Sequence, residues 1–548
     1  MEERKSTFKL PGWFLVFGLF CVVQVTTCPT RDAYLSNFDH GYQLGGGVQI
    51  LRGKIPGVDV LVHYGPLVYY ASALWHRLSG SLIGETLACA VGFAACLAII
   101  YSLVTRHTKA VWGLLAACVC YWLEARYYKW YIWLFPLGTL WLLDSFAATA
   151  PDRRIRWAAL TGLWVGLGWL FRWDVGTLGG LACLAFFALI QTGKLLDRLR
   201  PPGRESVAFL LGFVFPLAAW SGYLLANRGW TGLFAYGTVT IRMSLELARS
   251  MALPLPPFSM ADPLSPGSLL VVGYLFVPVT YLICGAWWLR AEAQDQRTRR
   301  TTLLLAIVLV GGSTFHQALH RKDGSHLLQV LPPATLGAMI LVAELVAFRS
   351  RDGANAARPR ALQVMGVAYA LLTLAIGLGL TPYGRTDLSP PANWSGGKLR
   401  ELAHPLDSGK DSPVISALRL VREVTGRDDP ILVFPFDSQY YAFVNRPASG
   451  RMTLYVPDVF SSPAAAQENL RAIRQAMPRV VLLSPLSTRP DSSVVGQLYG
   501  EIARSHSYLL EFITSHYTRR LFSSDQVVVL APPEDLAVRP VTGETRAR

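Results

Sequence analysis

Residues 37–70 read NFDHGYQLGGGVQILRGKIPGVDVLVHYGPLVYY and lie between two apolar segments, near 11–27 and 82–104, each long enough to enter a membrane. The stretch holds Asp39 and Asp59, His40 and His63, a glycine cluster at 45–47, and prolines at expected turns. Polar residues gathered against a bilayer in this way point to a site.

The rest of the composition fits that setting. The chain has 548 residues, 52% of them hydrophobic and 16% charged, which is too apolar and too poor in charge for an ordinary soluble enzyme and indicates a polytopic membrane protein. The formal charge of +15 is carried by short Lys/Arg clusters between apolar runs, as the positive-inside rule expects. No basic domain or nucleic-acid motif accompanies it, so no nucleic-acid partner is expected. The eight cysteines lie between Cys21 and Cys284, nearly all in apolar runs, where small buried hydrophobes explain them better than a disulfide framework or a CxxC metal site. MEERKSTFKL and the apolar run to Val25 resemble a signal peptide, but Thr26, Thr27, Cys28 and Pro29 make a poor cleavage site; an uncleaved first helix is expected.

On length and hydropathy about eleven transmembrane helices are expected, near 11–27, 82–104, 110–123, 127–148, 157–172, 174–192, 206–227, 267–289, 302–318, 326–347 and 361–380. If all are real, the clusters Arg4/Lys5, Arg106/Lys109, Arg153/Arg154/Arg156, Lys194/Arg198/Arg200/Arg204, Arg297/Arg299/Arg300 and Arg349/Arg351/Arg358/Arg360 share one side. That side is expected to be cytoplasmic, with the N-terminus. The loop 28–81 and everything after Leu380 are then outside a plasma (inner) membrane. Leu67, Tyr70/Ala71, Leu74 and Leu78 follow Pro66 at helical spacing and fit an amphipathic helix in the interface. From about Pro382 the composition becomes that of a soluble domain. Short β-branched runs at 431–436, 479–484 and 526–531 alternate with helical patterns at 413–425, 464–476 and 493–505. The expected architecture is mainly α: a membrane domain over 1–381 and a C-terminal extracytoplasmic α/β domain over 382–548.

Asp39 is the first candidate for chemistry, because a carboxylate with access to both water and lipid can act as general base on a hydroxyl acceptor while a lipid-linked donor approaches from the bilayer. The alternative is that it caps a helix beginning near Gly41; Asp32 and Asp59 compete for the base role and are equally suited to capping. Glu124, with Arg126 and Lys129, occupies the next outward turn. It can hold a divalent cation, orient the acceptor, or form a surface pair with Lys129. FRWD at 171–174 places Arg172 and Asp174 outside, and HQALHRKDGSH at 316–326 crowds His320, Arg321, Lys322, Asp323 and His326 into one outward turn against the inside bias for positive charge. A phosphate accounts for that exception: Arg172, Arg321 and Lys322 suit phosphate oxygens, whereas the plainer reading is an interfacial anchor that snorkels. No GxxxxGK(S/T), GxGxxG after a strand, HExxH or GxSxG is present, so an activated sugar has to arrive on a lipid phosphate rather than on a nucleotide. The spacing of Gly45, Gly46 and Gly47 is not that of a phosphate loop, and close helix packing or an interfacial bend explains them better.

The pattern FDHGYQLGGGVQILRGKIPGVD, followed by HYGPLVYY and the late R-x-D-x-x-H-L element at Arg321, Asp323, His326 and Leu327, resembles the GT-C fold polyprenyl-phosphate-sugar glycosyltransferases. This superfamily includes protein O-mannosyltransferases and bacterial aminoarabinose transferases. The resemblance covers roughly residues 10–380. It implies that Asp39 is the first-loop catalytic acid position, that Glu124 is the second-loop one, and that His63 and Tyr64 lie near the lipid phosphate. Asp59, Asp174, Asp323 and His326 are supporting positions. Asp39-His40 departs from the Asp-Glu pair of the mannosyltransferases, which leaves protein as the acceptor open. The implied activity is sugar transfer from a polyprenyl-phosphate donor to a hydroxyl of a cell-envelope glycan, lipid or protein, hexosyl or pentosyl and inverting by family. A divalent cation, Mg or Mn, held by Asp39 and Glu124 is the cofactor the carboxylates allow. The rival from another class is a transporter or flippase of lipid-linked glycans, which would show interrupted repeats that this chain lacks.

Overall fold

The computed structural model describes residues 12–27, 38–123, 127–191, 203–250, 255, 257–263, 265–320, 322–351, scattered positions of 364–375, 403–409, 412–487 and 494–534. In chain order the helices are α1 (Gly12–Thr27), α2 (Phe38–Leu51), α3 (Pro66–Ser79), α4 (Ile83–Thr105), α5 (Ala110–Trp122), α6 (Tyr131–Ala148), α7 (Arg154–Phe171), α8 (Trp173–Gln191), α9 (Arg204–Ser250), α10 (Pro266–Ala293), α11 (Arg299–His320) and α12 (Gly324–Arg351). After residue 412 come α13 (Pro413–Val424), β1 (Ile431–Phe434), α14 (Gln439–Val444), α15 (Pro463–Gln475), β2 (Val480–Leu483), α16 (Val494–Ser505), α17 (Ser507–His516), β3 (Arg519–Ser523) and β4 (Val528–Ala531). These elements form two compact units, one of Met1–Arg31, Thr86–Asn227 and Met251–Asn393, the other of Asp32–Glu85, Arg228–Ser250 and Trp394–Arg548.

Seven helices among the described residues are long and apolar enough to cross a membrane: Ile83–Thr105, Tyr131–Ala148, Trp173–Ile190, Arg204–Arg242, Pro266–Ala293, Arg299–Leu319 and Gly324–Val346. The chain is a multi-pass membrane protein. Helices also occupy the expected spans at 11–27, 110–123 and 157–172; among them α5 has 13 residues, short for a ~30 Å hydrocarbon core, and α1 has 16 among the described residues. The segment 361–380 falls mostly outside the described residues. In the first unit α11 is the central element, packing on α6, α8, α10 and α12. Gly162 and Gly166 of α7 let the backbone of α9 approach so closely that a side chain would overlap the Phe209 and Phe213 carbonyls, the small-residue packing expected in lipid, where no hydrophobic drive holds helices together.

The two ends of α11 carry different charges. Near its start Arg299 pairs with Asp144, a carboxylate with no exposure that also accepts from Arg106 at 3.0 Å and His107 at 2.9 Å. Arg300 donates to the His107 carbonyl and approaches Glu344. Arg106, Arg299 and Arg300, assigned to one side by charge bias, therefore meet at one end of the helices. About 25 Å further along α11, His316 and Gln317 meet Asp174.

In the second unit a four-stranded sheet runs β1-β2-β4-β3, with β1 and β2 parallel and the other pairs antiparallel. The three β-branched runs become β1, β2 and β4, and the helical patterns become α13, α15 and α16. Ser412 and Ser462 cap α13 and α15 ahead of Pro413 and Pro463, as the N-cap and N1 preferences dictate. The sheet's core includes Ile431, Val433, Leu482 and Val529 together with Leu44, Val48 and Leu82, so the first loop shares its interior with residues after 394. The compositional boundary at 381/382 does not separate the two units, because the apolar face of α2 is covered by C-terminal side chains. Hydrogen bonds reinforce this: the Gln49 side-chain Oε1 accepts from the Ala448 N–H at 3.0 Å, the Leu61 N–H donates to the Arg451 carbonyl at 2.8 Å, and Lys54 Nζ donates to the Ala448 carbonyl at 2.9 Å.

The glycine cluster is the means of this packing. A Cβ at Gly46 would overlap the Tyr69 ring, at Gly47 the Ser72 side chain, at Gly45 the Ser438 carbonyl and at Gly41 the Gln439 side chain, so α2 meets α3 on one face and α14 on another. On α3, Val68, Tyr69, Ser72, Ala73 and His76 are buried, while Leu74 and Leu78 are exposed, the two-faced distribution read from the sequence. Gly46→Val is expected to lower the thermal midpoint in detergent, at a cost on the order of 1–3 kcal/mol, whereas Gly222→Ala, where a methyl meets nothing within 4 Å, should not. Equal melting curves for the two variants would refute the packing account.

Asp437, just past β1, offers a second check. Burial pushes its carboxyl up to about 6, against the lowering effect of the Gln439 amide and Tyr440. A carboxyl raised above its unfolded value of ~3.9 penalises the fold progressively as pH rises from about 4 through 6 and fully above that. Asp437→Asn keeps the acceptor oxygen for Gln439 and removes the charge. It should raise the melting temperature at pH 7.5 and leave it unchanged at pH 4, a difference that parallel thermal scans would read.

Candidate functional site

Each unit holds some of the residues expected to act. In the first, the α7–α8 junction bends at Arg172, whose extended backbone ends α7. Its guanidinium forks onto Asp174, with Nε–Oδ1 at 3.0 Å and Nη2–Oδ2 at 3.2 Å. Asp174 also accepts from the Val175 N–H at 2.8 Å, in the first turn of α8, where helix dipole and orphan N–H groups favour an anion. His316 and Gln317 reach the same carboxylate from α11. His316 Nδ1 donates to the Ser313 carbonyl at 2.6 Å, which leaves Nε2 to face the Gln317 amide at 2.7 Å. His316 and Gln317 were not singled out by their spacing; their signal is a polar pair inside an apolar helix.

Beyond α11 lie Lys322, Asp323 and His326. Asp323 is the N-cap of α12: it accepts from the His326 N–H at 2.9 Å, the Ser325 hydroxyl at 2.7 Å and the His326 ring at 2.8 Å. Burial opposes its ionisation, but the His326 bonds and charge and the Ser325 hydroxyl outweigh it and hold the carboxyl well below the usual range. The structure thus gives Asp323 a local task, positioning the His326 ring, and leaves Lys322 half-buried beside it. Leu327, the last residue of the R-x-D-x-x-H-L element, is fully buried.

In the second unit Asp39 lies in the first turn of α2; its side chain, Glu124, Arg126, Arg321 and Asp32 lie outside the described residues, and so does the side chain of His320. His63 and Tyr64 pack on the buried Tyr42 and Tyr69. The Tyr42 hydroxyl donates to the Leu61 carbonyl at 2.8 Å and accepts from the His63 N–H at 2.9 Å, with the His63 ring edge-on at 4.7 Å. The Tyr64 N–H donates to the Tyr69 hydroxyl at 3.3 Å. Tyr42 and Tyr69 therefore fix the backbone of HYGP, and both half-buried side chains are held at its turn. Asp59 is engaged twice: it accepts from the Ile55 N–H at 2.8 Å, closing its own turn, and from Arg228 at 2.7 Å. That is the capping alternative, with an ion pair added.

Two kinds of metal-ligating group are available. Asp39 and Glu124 are hard carboxylates of the kind Mg or Mn takes. His40 and Glu85, both buried, approach each other to 3.6 Å, and Cys89 follows Glu85 by one turn of α4 and is also buried.

No family model and no curated protein matches the chain. Among solved structures it is similar to the Archaeoglobus fulgidus oligosaccharyltransferase in complex with Zn and sulfate, with 12% identity and a TM-score of 0.48 over 96% of this chain and 74% of that one. It is also similar to ArnT from Cupriavidus metallidurans, with 12% identity and a TM-score of 0.49 in the apo state, and 14% and 0.44 bound to undecaprenyl phosphate. Both ArnT comparisons cover 96% of this chain and 99% of that one. At this level of likeness, the roles of this chain's residues rest on their own chemistry.

Proposed function

We propose that this protein is a membrane glycosyltransferase that moves a hexosyl or pentosyl group, with inversion, from a polyprenyl-phosphate donor to a hydroxyl of a cell-envelope glycan, lipid or protein. The observation that carries the reading is the charged set at the C-terminal end of α11. Arg172, Asp174, His316 and Gln317 share a hydrogen-bonded network there, Lys322 and the Asp323–His326 pair follow directly, and apolar spans adjoin them. Cations at the end of membrane helices opposite the Asp144 cluster are costly to keep and match an anionic lipid headgroup.

In this reading Asp39 takes the proton of the acceptor hydroxyl as its oxygen attacks the anomeric carbon. The bond from that carbon to the phosphate oxygen breaks on the opposite face, and polyprenyl phosphate leaves carrying one more negative charge. Arg321, Arg172 and Lys322 stabilise that charge, and His63 and Tyr64 line the approach of the lipid phosphate. A divalent cation on Asp39 and Glu124, Mg or Mn by the chemistry of two carboxylates, would add positive charge there. In the same reading the N-terminus is cytoplasmic and the residues after 382 are outside, on the charge bias of the loops.

Orientation and chemistry are tested separately. Ser36→Cys, in a background without exposed native cysteines, is expected to react with a membrane-impermeant maleimide in intact cells and Ser350→Cys to be protected; the reverse pattern would put Asp39 on the wrong face. In single-turnover transfer with a short-chain donor, Asp39→Asn should lose roughly 10²–10⁴ in rate with donor affinity little changed, while Arg321→Ala should weaken affinity and rate together. Near-normal transfer by a folded Asp39→Asn protein would sink the assignment of the base.

A further inference from the structure

α9 is too long for one membrane crossing. Its 47 residues would run about 70 Å at 1.5 Å per residue, more than twice a ~30 Å hydrocarbon core, and Arg204–Asn227 by itself runs about 36 Å. The helix breaks where that length is used up: Gly229 stands at φ 64°, ψ −166°, a backbone region that is essentially glycine's alone. A Cβ there would meet nothing within 4 Å, so this glycine serves the break and not close packing.

Beyond the break the helix has two unlike faces. On one, Tyr236 is buried with its ring against Gly57. Polar contacts fasten the helix to other residues of the same unit. Arg228 Nη2 donates to Asp59 Oδ2 at 2.7 Å, Arg242 Nη2 donates to the Ser462 hydroxyl at 2.7 Å, and Glu246 Oε2 accepts from the Phe460 N–H at 2.8 Å. On the other face Trp230, Phe234 and Ile241 stand 66%, 68% and 64% exposed, and at helical spacing they fall within about 40° of one another. No charged residue lies between Arg228 and Arg242, and the exposed Thr231 and Thr238 flank the stripe. Two aromatic rings and an isoleucine in line form a surface that a partner covers.

The place where the stripe begins identifies that partner. The preceding span exposes Leu211, Val214 and Phe215, as a helix in lipid does, and Trp230 comes one residue after the break that ends it. The chain therefore leaves the hydrocarbon at the start of the stripe, where Trp is the favoured side chain. An uncharged apolar stripe with small hydroxyl residues at its margin suits the boundary between headgroups and acyl chains.

We propose that the distal part of α9, from Trp230 to Ile241, lies in the membrane interface with Trp230, Phe234 and Ile241 among the acyl chains. The lipid surface is then the partner that steadies Asp59 and the Phe460–Ser462 segment, through Arg228, Arg242 and Glu246.

The test uses the full chain in phosphatidylcholine nanodiscs, in a background without exposed native cysteines, with a nitroxide on one introduced cysteine at a time: Phe234→Cys, Ile241→Cys, or Thr231→Cys at the margin. Power saturation compares collisions with oxygen, which concentrates among acyl chains, and with a water-soluble nickel chelate. Labels at 234 and 241 are expected to favour oxygen severalfold and to sit at equal depth, while the label at 231 meets more nickel. A helix standing away from the bilayer would lift position 241 about 10 Å above 234 and expose it to nickel, and a helix continuing the span would sink it by as much. A stripe covered by protein, a second copy of the chain included, would lower collisions with both reagents. Each of these three results overturns the proposal.

Discussion

The second unit depends on one helix lacking side chains on two of its faces. Gly46 and Gly47 admit Tyr69 and Ser72 of α3, while Gly41 and Gly45 admit Gln439 and Ser438. A single Cβ at Gly41 or Gly45 would push apart segments separated by several hundred residues of sequence, and one at Gly46 or Gly47 would push α2 off α3. The same close approach brings Tyr69 against Tyr42, which fixes the His63–Tyr64 turn. It also ties the position of Asp39 to residues after 394. The C-terminal residues supply the partners of Gln49, Lys54 and Leu61, so their contribution to a first-loop site is to hold α2, whether or not they touch a substrate.

The first unit is held by charge as much as by packing. Asp144 is a carboxylate in a span with no exposure, and a buried ion is tolerable only when its lone pairs are filled. Arg106, His107 and Arg299 fill them and fix the register of α11 against α6 at one end. Asp174 does the same at the other end, through His316 and Gln317. Two anchored ends leave a helix of this length little freedom to slide, a rigidity useful to any group mounted just beyond it, such as Lys322 and His326.

Local pattern carried the strands, the helices and the two faces of α3, because each is a matter of period and β-branching within a few residues. β3 escaped because Arg519 and Arg520 open an edge strand with few buried positions, so no apolar run announces it. The glycine cluster was legible as close packing, though not what it packs against. Asp323 and His326 were legible as a pair, since i and i+3 meet at a helix start. Asp144, Glu85, His316 and Gln317 were not, because hydropathy averages one polar residue into its apolar neighbours and their partners come from other helices. Asp59 showed the opposite failure: its capping turn was local and readable, and Arg228 was not.

The Arg172–Asp174 fork bears on how a cationic site can wait for an anion. An Arg buried among spans without a counterion would be prohibitively costly, yet an Arg locked to a carboxylate cannot bind phosphate. Asp174 resolves this by having more partners than one. If a phosphate draws Arg172 away, the Val175 N–H and the Gln317 amide still donate to the carboxylate, so the exchange leaves no naked charge behind. The residual cost is then the difference between two charge-assisted bidentate bonds, which is small. On the proposed function, Arg172 is held in readiness this way and passes to a lipid phosphate without rearranging the helices that carry it.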